Sequence, residues 1–210
     1  MNLIIKSDMK IICIARNYAE HAKELNNEVT ENPVFFLKPD TALLQKERDF
    51  YLPEFSQNIQ YEAEMVLKIS KAGKYIQPEF ALNYFEQISL GIDLTARDLQ
   101  SQLKEKGHPW EISKAFDNSA VVGEFLDKKD FDLENLEFRL DKNKIAVQQG
   151  NTKDMIHGFA KIISEASKYF TLKTGDLIYT GTPAGVGRVE ENDLLEGWMH
   201  ERKVFEVQVK

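Results

Sequence analysis

Apolar positions along this chain follow two repeats, strict alternation and helical spacing, and alternation dominates. Lys10 to Ala15 is a short apolar run suited to a buried strand, and Val34 to Lys38 repeats it before Pro39 ends the pairing. Between them Asn17 precedes an Ala/Glu/Lys-rich stretch to Leu25 that predicts a short helix. Thr41 to Ser56 carries mixed signals, and Pro53 argues against a central strand there. From Tyr61 the period is two: Tyr61, Ala63, Met65, Leu67 and Ile69 share one face, while Glu62, Glu64, Val66 and Lys68 share the other. Pro78 opens a predicted helix through Phe85, Ile88 to Leu94 predicts a strand carrying Gly91 and Asp93, and a further helix is predicted from near Thr95. Leu136 to Leu140 and Ile145 to Gln149 flank Asp-Lys-Asn-Lys and predict a hairpin. Thr152 heads the strongest helical spacing, Met155, Ile156, Phe159, Ile162, Ile163, Ala166 and Phe170, and that helix should cover a sheet. Leu177 to Thr180 and Lys203 to Val209 predict two last strands. Strands outnumber helices, so the expected fold class is α+β, mainly β.

Composition narrows the partners more than the fold. The 210 residues are little more than one typical domain, and residues 1–210 are expected to form one. A hydrophobic fraction of 42% and a charged fraction of 29% exclude a disordered chain. Lys plus Arg number 27 against 34 Asp plus Glu, a net charge of -7, which argues against nucleic acid as a partner. The lone Cys13 leaves no internal disulfide or Cys-rich zinc module and reads as a small buried apolar residue. Met1 to Asp8 holds too short an apolar run for a signal peptide or a membrane span, so a cytoplasmic protein with no membrane partner is expected.

Chemistry concentrates in a few places. Glu62 and Glu64, two apart on a predicted strand, stand ~6.6–7 Å apart along the backbone and point the same way, so their oxygens can converge on one cation. The bland alternative is a solvated strand face. Asp93 ends an apolar strand, where a lone carboxylate needs a partner or a metal, unless it caps the following helix. Three carboxylates without a histidine favour Mg²⁺ or Mn²⁺ over zinc, and such an ion suits a chelating 2-oxo acid. His21 and Glu24 are helical neighbours at i,i+3, the arrangement of an oriented base or of an ordinary exposed pair. His108 and His157 read as surface or packing residues, His157 inside the long helix. Thr180 to Gly187 is a glycine-rich loop whose amides can hold a carboxylate, or a plain connection between strands; it lacks the spacing of a nucleotide-binding fingerprint.

Together these segments resemble the fumarylacetoacetate hydrolase family, in particular its short acylpyruvase and oxaloacetate decarboxylase-like branch. The resemblance rests on Ala15 to Glu24, Phe36 to Pro39, Tyr61 to Glu64, Gly91 to Gln100 and the Thr-Gly-Thr-Pro-Ala-Gly-Val-Gly loop. Lys106 to Trp110 leading to Lys114 to Asp117, and Gln149 to Thr152, add to it. Gln60-Tyr61 stands where the acylpyruvase branch often has His-His. The resemblance implies a distorted β-roll or sandwich of mixed strands with flanking helices, usually a homodimer. It implies Mg²⁺ or Mn²⁺ on Glu62, Glu64 and Asp93, a water-activating dyad of His21 and Glu24, and Lys114 as a stabiliser of enolate charge. Arg97, Gln100 and Thr182 would line the substrate pocket. The activity it implies first is hydrolysis of a C–C bond in 3-acylpyruvates or related 2,4-dioxo acids. Oxaloacetate decarboxylation or isomerisation of a 2-hydroxy-diene-dioate would use the same site, and a non-catalytic metal-binding protein is the reading from another class. Asn26, Asn27 and the stretch to Pro33 have the composition of a mobile segment, on which the His21 helix would move as a lid.

Overall fold

The computed structural model describes residues 9–24 and 30–210. The largest sheet runs in the order β2 (Val34–Lys38), β1 (Ile11–Ala15), β11 (Leu177–Tyr179), β4 (Ala63–Ile69), β5 (Phe85–Asp93), β7 (Ala120–Val122), with β8 (Leu126–Asp127) also on β5. A four-stranded sheet follows the order β10 (Ile145–Asn151), β9 (Glu137–Lys142), β13 (Leu194–Met199), β14 (Arg202–Gln208). Three short strands, β12 (Gly187–Arg188), β3 (Ile59–Tyr61) and β6 (Thr95–Ala96), form a third sheet. Every pair between these strands is antiparallel except β1 with β11. The helices are α1 (Ala19–Glu24), α2 (Pro78–Ala81), α3 (Arg97–Glu105), α4 (Glu111–Lys114) and α5 (Phe159–Tyr169). The mixed, mainly β class expected from the alternation is the fold observed.

Strand β4 explains where the site lies. Ala63, Met65, Leu67 and Ile69 enter the main core, in which Phe85, Ile162, Ile163 and Ala166 also pack. Val66 on the opposite face joins a second, smaller cluster with Ile11, Cys13, Leu177 and Tyr179. Both faces are therefore dry, and Glu64 is not on a solvated surface but at the edge of that small cluster. The strand changes sheet between Tyr61 and Ala63, because Tyr61 pairs with Gly187 while Ala63 pairs with Ile92, yet both side chains enter the same core. Glu62 occupies the step between the two sheets.

Several predicted elements shift. The helix expected from Thr152 starts at Phe159: Thr152–Asp154 is one 3₁₀ turn, and Asn151 rather than Thr152 caps it, accepting from the Lys153 N–H. Met155 bridges to Tyr18, the Ile156 N–H donates to the Asn17 carbonyl, and the His157 N–H donates to Asn17 Oδ1. These long-range bonds take up groups that a helix would have used, so His157 precedes α5 rather than lying within it. The helix from Pro78 gives way to a 3₁₀ turn at Leu82–Tyr84, and Phe85 already begins β5. Thr95–Ala96 is strand, with α3 beginning at Arg97. Strand β13 went unpredicted because Gly197 interrupts its pattern; a Cβ there would sit 2.1 Å from the Phe205 ring. Asn26 and Asn27, from the segment expected to let the His21 helix move, and the helix end at Leu25 lie outside the described residues. Among the described residues no helix is long and apolar enough to cross a membrane.

Candidate active site

The expected site residues come from six separate segments and meet at one cleft. His21, Glu62, Glu64, Arg97, Gln100, Lys114 and Thr182 line it, Glu24 reaches it through His21, and Asp93 through Lys114. Counted with its open mouth, the cleft encloses about 410 Å³.

Its floor is the acidic group. Glu62, Glu64 and Asp93 are all buried, and one oxygen from each lies within 4.8 Å of the others. Opposite oxygens around Mg²⁺ are ~4.2 Å apart, so small side-chain rotations suffice to enclose an ion. Asp93 does not cap α3: the Arg97 N–H goes to the Asn58 carbonyl. Its Oδ1 is buried and has no hydrogen-bond partner among the described residues, although Lys38 Nζ lies 2.8 Å away off the hydrogen-bonding direction. An all-oxygen donor set with a buried acceptor left over fits a hard divalent cation.

Cations surround this floor. Lys114 Nζ, at the end of α4, donates to Glu62 Oε2 and Asp93 Oδ2 at 2.8 Å each and to Thr95 Oγ1 at 2.6 Å. Burial alone would discharge this ammonium, but Asp93 and Glu62 together raise its pKa. Arg97 pairs with Glu62 Oε1 through Nη2, and its Nη1 donates to Gln100 Oε1 at 2.6 Å. Burial works against ionised Glu62, yet Lys114 and Arg97 hold its carboxyl well below the usual range. Glu64 is pushed the other way, by burial first and then by the charges of Asp93 and Glu62.

His21 also faces the cleft. His21 Nδ1 lies 3.2 Å from Glu24 Oε2, with the imidazole buried and the carboxylate partly exposed, so this is not the ordinary surface pair. The glycine-rich loop does hold carboxylates, and both are the chain's own: the Gly181 N–H donates to Glu64 Oε2 at 2.7 Å and the Gly185 N–H to Glu24 Oε1 at 3.1 Å. Gly181 is at φ +94, and a Cβ on it would lie 2.5 Å from Asn17 Cβ, so no other residue fits without displacing that side chain. Thr182 Oγ1 accepts from Gln148 Nε2 at 2.9 Å, and Gln148 Oε1 in turn accepts from the Ala63 N–H.

Further residues, Lys104 among them, escaped the sequence reading. Lys38, at the end of β2, is fully buried and bonds to the Lys114 carbonyl, the Ser119 carbonyl and Ser119 Oγ. Only its place in Phe36 to Pro39 hinted at it. Gln148 was hidden beside the matched Gln149. Arg16, within the matched Ala15 to Glu24, lines the cleft from a left-handed backbone conformation, φ 61, which no local pattern announces.

Residues 10–210 match the family model described as fumarylacetoacetate (FAA) hydrolase C-terminal. The chain belongs to the fumarylacetoacetate hydrolase family. It is an enzyme of that family by its relatives as well. It is 41% identical to the mitochondrial oxaloacetate tautomerase of Mus musculus over 187 residues, 89% of this chain and 85% of that protein. It is 38% identical to the oxaloacetate tautomerase of Escherichia coli over 188 residues, covering 89% and 86%. The fumarylpyruvate hydrolase of Pseudomonas aeruginosa, solved with Mn²⁺ and pyruvate, superposes with a TM-score of 0.89 at 34% identity, covering 95% of this chain and 88% of that one.

Proposed function

We propose that this member of the family interconverts the keto and enol forms of a short 2-oxo acid, with oxaloacetate as substrate and Mg²⁺ or Mn²⁺ held by Glu62, Glu64 and Asp93. The observation that carries the reading is the buried His21, tied at Nδ1 to Glu24 and facing a cleft floored by three carboxylates beside Lys114. A bound divalent cation supplies Lewis-acid polarisation of the 2-oxo group. With Nδ1 engaged, His21 has Nε2 left to take a proton from C3 of the keto form. As that C–H bond breaks, C2=C3 forms and negative charge collects on the C2 oxygen; solvent protonates that oxygen to give the enol, and His21 returns its proton to solvent. Lys114 Nζ is held charged next to that position and stabilises the developing oxyanion. Glu24 keeps the imidazole in one tautomer and steadies its protonated form. The names of the relatives from mouse and Escherichia coli support oxaloacetate as the substrate.

A second reading, C–C hydrolysis of an acylpyruvate, is favoured by the likeness to fumarylpyruvate hydrolase and by the same dyad, which can equally activate water. One experiment separates the two. Metal-loaded protein is given oxaloacetate in deuterated water, and exchange at C3 is followed by NMR beside pyruvate formation; acylpyruvates are assayed in parallel. Exchange well above that of metal alone, with little pyruvate, supports tautomerisation. Rapid acylpyruvate cleavage without exchange overturns it. His21→Gln is expected to slow exchange by about 10²- to 10⁴-fold with Mn²⁺ affinity retained.

A further inference from the structure

The cations of the cleft fall into two groups. Lys114 and Arg97 are matched by Glu62 and Asp93. Arg16 and Lys104, which line the same cleft, form no ion pair and no side-chain hydrogen bond among the described residues. Lys104 projects from α3 with its ammonium 5.4 Å from the centre of the Trp110 ring, another residue of the cleft wall. Its pKa is lowered, by burial first and then by the positive charges of Arg16, Arg97 and Lys114, so the charges repel one another across the cleft.

Backbone conformation adds a separate observation. Arg16 stands at φ 61, where glycine or asparagine would sit with less strain, yet an arginine occupies it. The next residue, Asn17, is wholly buried and fixes the bend. Its Nδ2 donates to the Thr180 carbonyl at 2.7 Å and the His157 carbonyl at 2.9 Å, and its Oδ1 accepts from the His157 N–H at 2.7 Å. The chain thus turns from β1 into α1 on a rigid peg that holds the half-buried Arg16 side chain at the cleft.

We propose that Arg16 and Lys104 together seat the second carboxylate of a dicarboxylic 2-oxo acid while the acidic floor and its metal take the 2-oxo-acid head. This deepens the tautomerase reading and rests on it for the orientation of the ligand. A planar guanidinium and an ammonium with no carboxylate of their own among the described residues make a ready anion seat, and binding there relieves the repulsion between them. A monocarboxylic 2-oxo acid would leave both unpaired. The pair therefore selects for a second negative charge.

Binding and turnover test this separately. Mn²⁺-loaded protein is titrated calorimetrically with malate, with 2-hydroxybutanoate, which lacks the second carboxylate, and with oxalate, which occupies only the head position. Malate is expected to bind about tenfold or more tightly than 2-hydroxybutanoate. Arg16→Gln combined with Lys104→Gln should erase that preference while oxalate affinity is kept, and Lys104→Arg alone should retain it. An unchanged preference in the double variant overturns the proposal, as does an equal loss of affinity for malate and oxalate. Exchange at C3 of oxaloacetate and of 2-oxobutanoate is measured on the parent protein. Absence of exchange on both defeats the tautomerase reading alone, since the affinity ratios still decide the role of the pair.

Discussion

Lys38 is a lysine with no water around it, and its surroundings define what it does. Its ammonium is shared among the Lys114 carbonyl, both oxygens of Ser119 and the Asp93 carboxylate, so it ties the end of β2 to the end of α4 and to the acidic floor. Replacing it by an apolar residue takes the cation away from the buried Asp93 Oδ1, while the Lys114 carbonyl keeps Ser119 Oγ and the Ser119 carbonyl keeps the Leu94 N–H. Lys38→Met is therefore expected to lower unfolding free energy by about 3–5 kcal/mol, the usual result of breaking a buried pair from one side. Urea denaturation of both proteins measures it; a loss under ~1 kcal/mol would mean that water or a neighbour takes over. Lys38 also marks what single residues conceal. A lysine closing an apolar strand reads as a surface residue, and only the strands packed around it from far along the chain make it an interior one. The carboxylates and His21 were legible because their residue types at those spacings carry a chemical meaning of their own, whereas Lys114 entered only through the family resemblance.

The hairpin of β9 and β10 shows how much can be read one element at a time. Its turn residues Asn143 and Lys144 both have positive φ, 54 and 66, the pattern of a two-residue hairpin turn, although the diagnostic glycine is missing. Asn143 compensates by donating to Asp193 Oδ1 at 2.7 Å and accepting from the Leu194 N–H at 2.9 Å, which fastens the turn to β13. Burial disfavours the charge on Asp193, but the Glu190 N–H, Asn143 and Lys142 outweigh it and hold its carboxyl below the usual carboxylate range. A lowered folded-state pKa contributes stability above the unfolded value, ~3.9, and that stability fades as pH falls through the folded one. Asp193→Asn should therefore have a lower Tm than the parent at pH 7, with the gap closing below about pH 4. A gap that stays constant to pH 2 would mean that packing rather than charge is responsible. The same comparison explains the one large misreading. The 155–158 segment has helical spacing, yet Asn17 and Tyr18 offer its backbone partners across the fold, and tertiary pairing overrides local periodicity. From Tyr61 to Ile69 the apolar side chains reach one core despite the change of sheet at Glu62, so alternation located Glu62 and Glu64.

At the level of the whole molecule, Lys38, Lys114 and Arg97 balance Glu62 and Asp93, but buried Glu64 pairs with no cation among the described residues, and its charge works against folding until an ion binds. An ion that binds only the folded state stabilises it by about 2.7 kcal/mol at 100 times its Kd. For a chain of 210 residues that corresponds to a rise in Tm of roughly 5–10 °C. Thermal melts with Mn²⁺ added, and again after chelation, should show that rise and its reversal, and Glu64→Gln should remove most of it. Melting curves that ignore Mn²⁺ would reject the metal assignment. The parallel pairing of β1 with β11 carries the idea into synthesis. His21 follows β1 directly, whereas Gly181, which anchors Glu64, follows β11, more than 150 residues later. A growing polypeptide on the ribosome owns the histidine and all three acids long before the strand that joins them emerges. Synthesis must pass β11 before these groups can be joined, and a transcript truncated ahead of that strand is expected to yield a product that carries them unassembled.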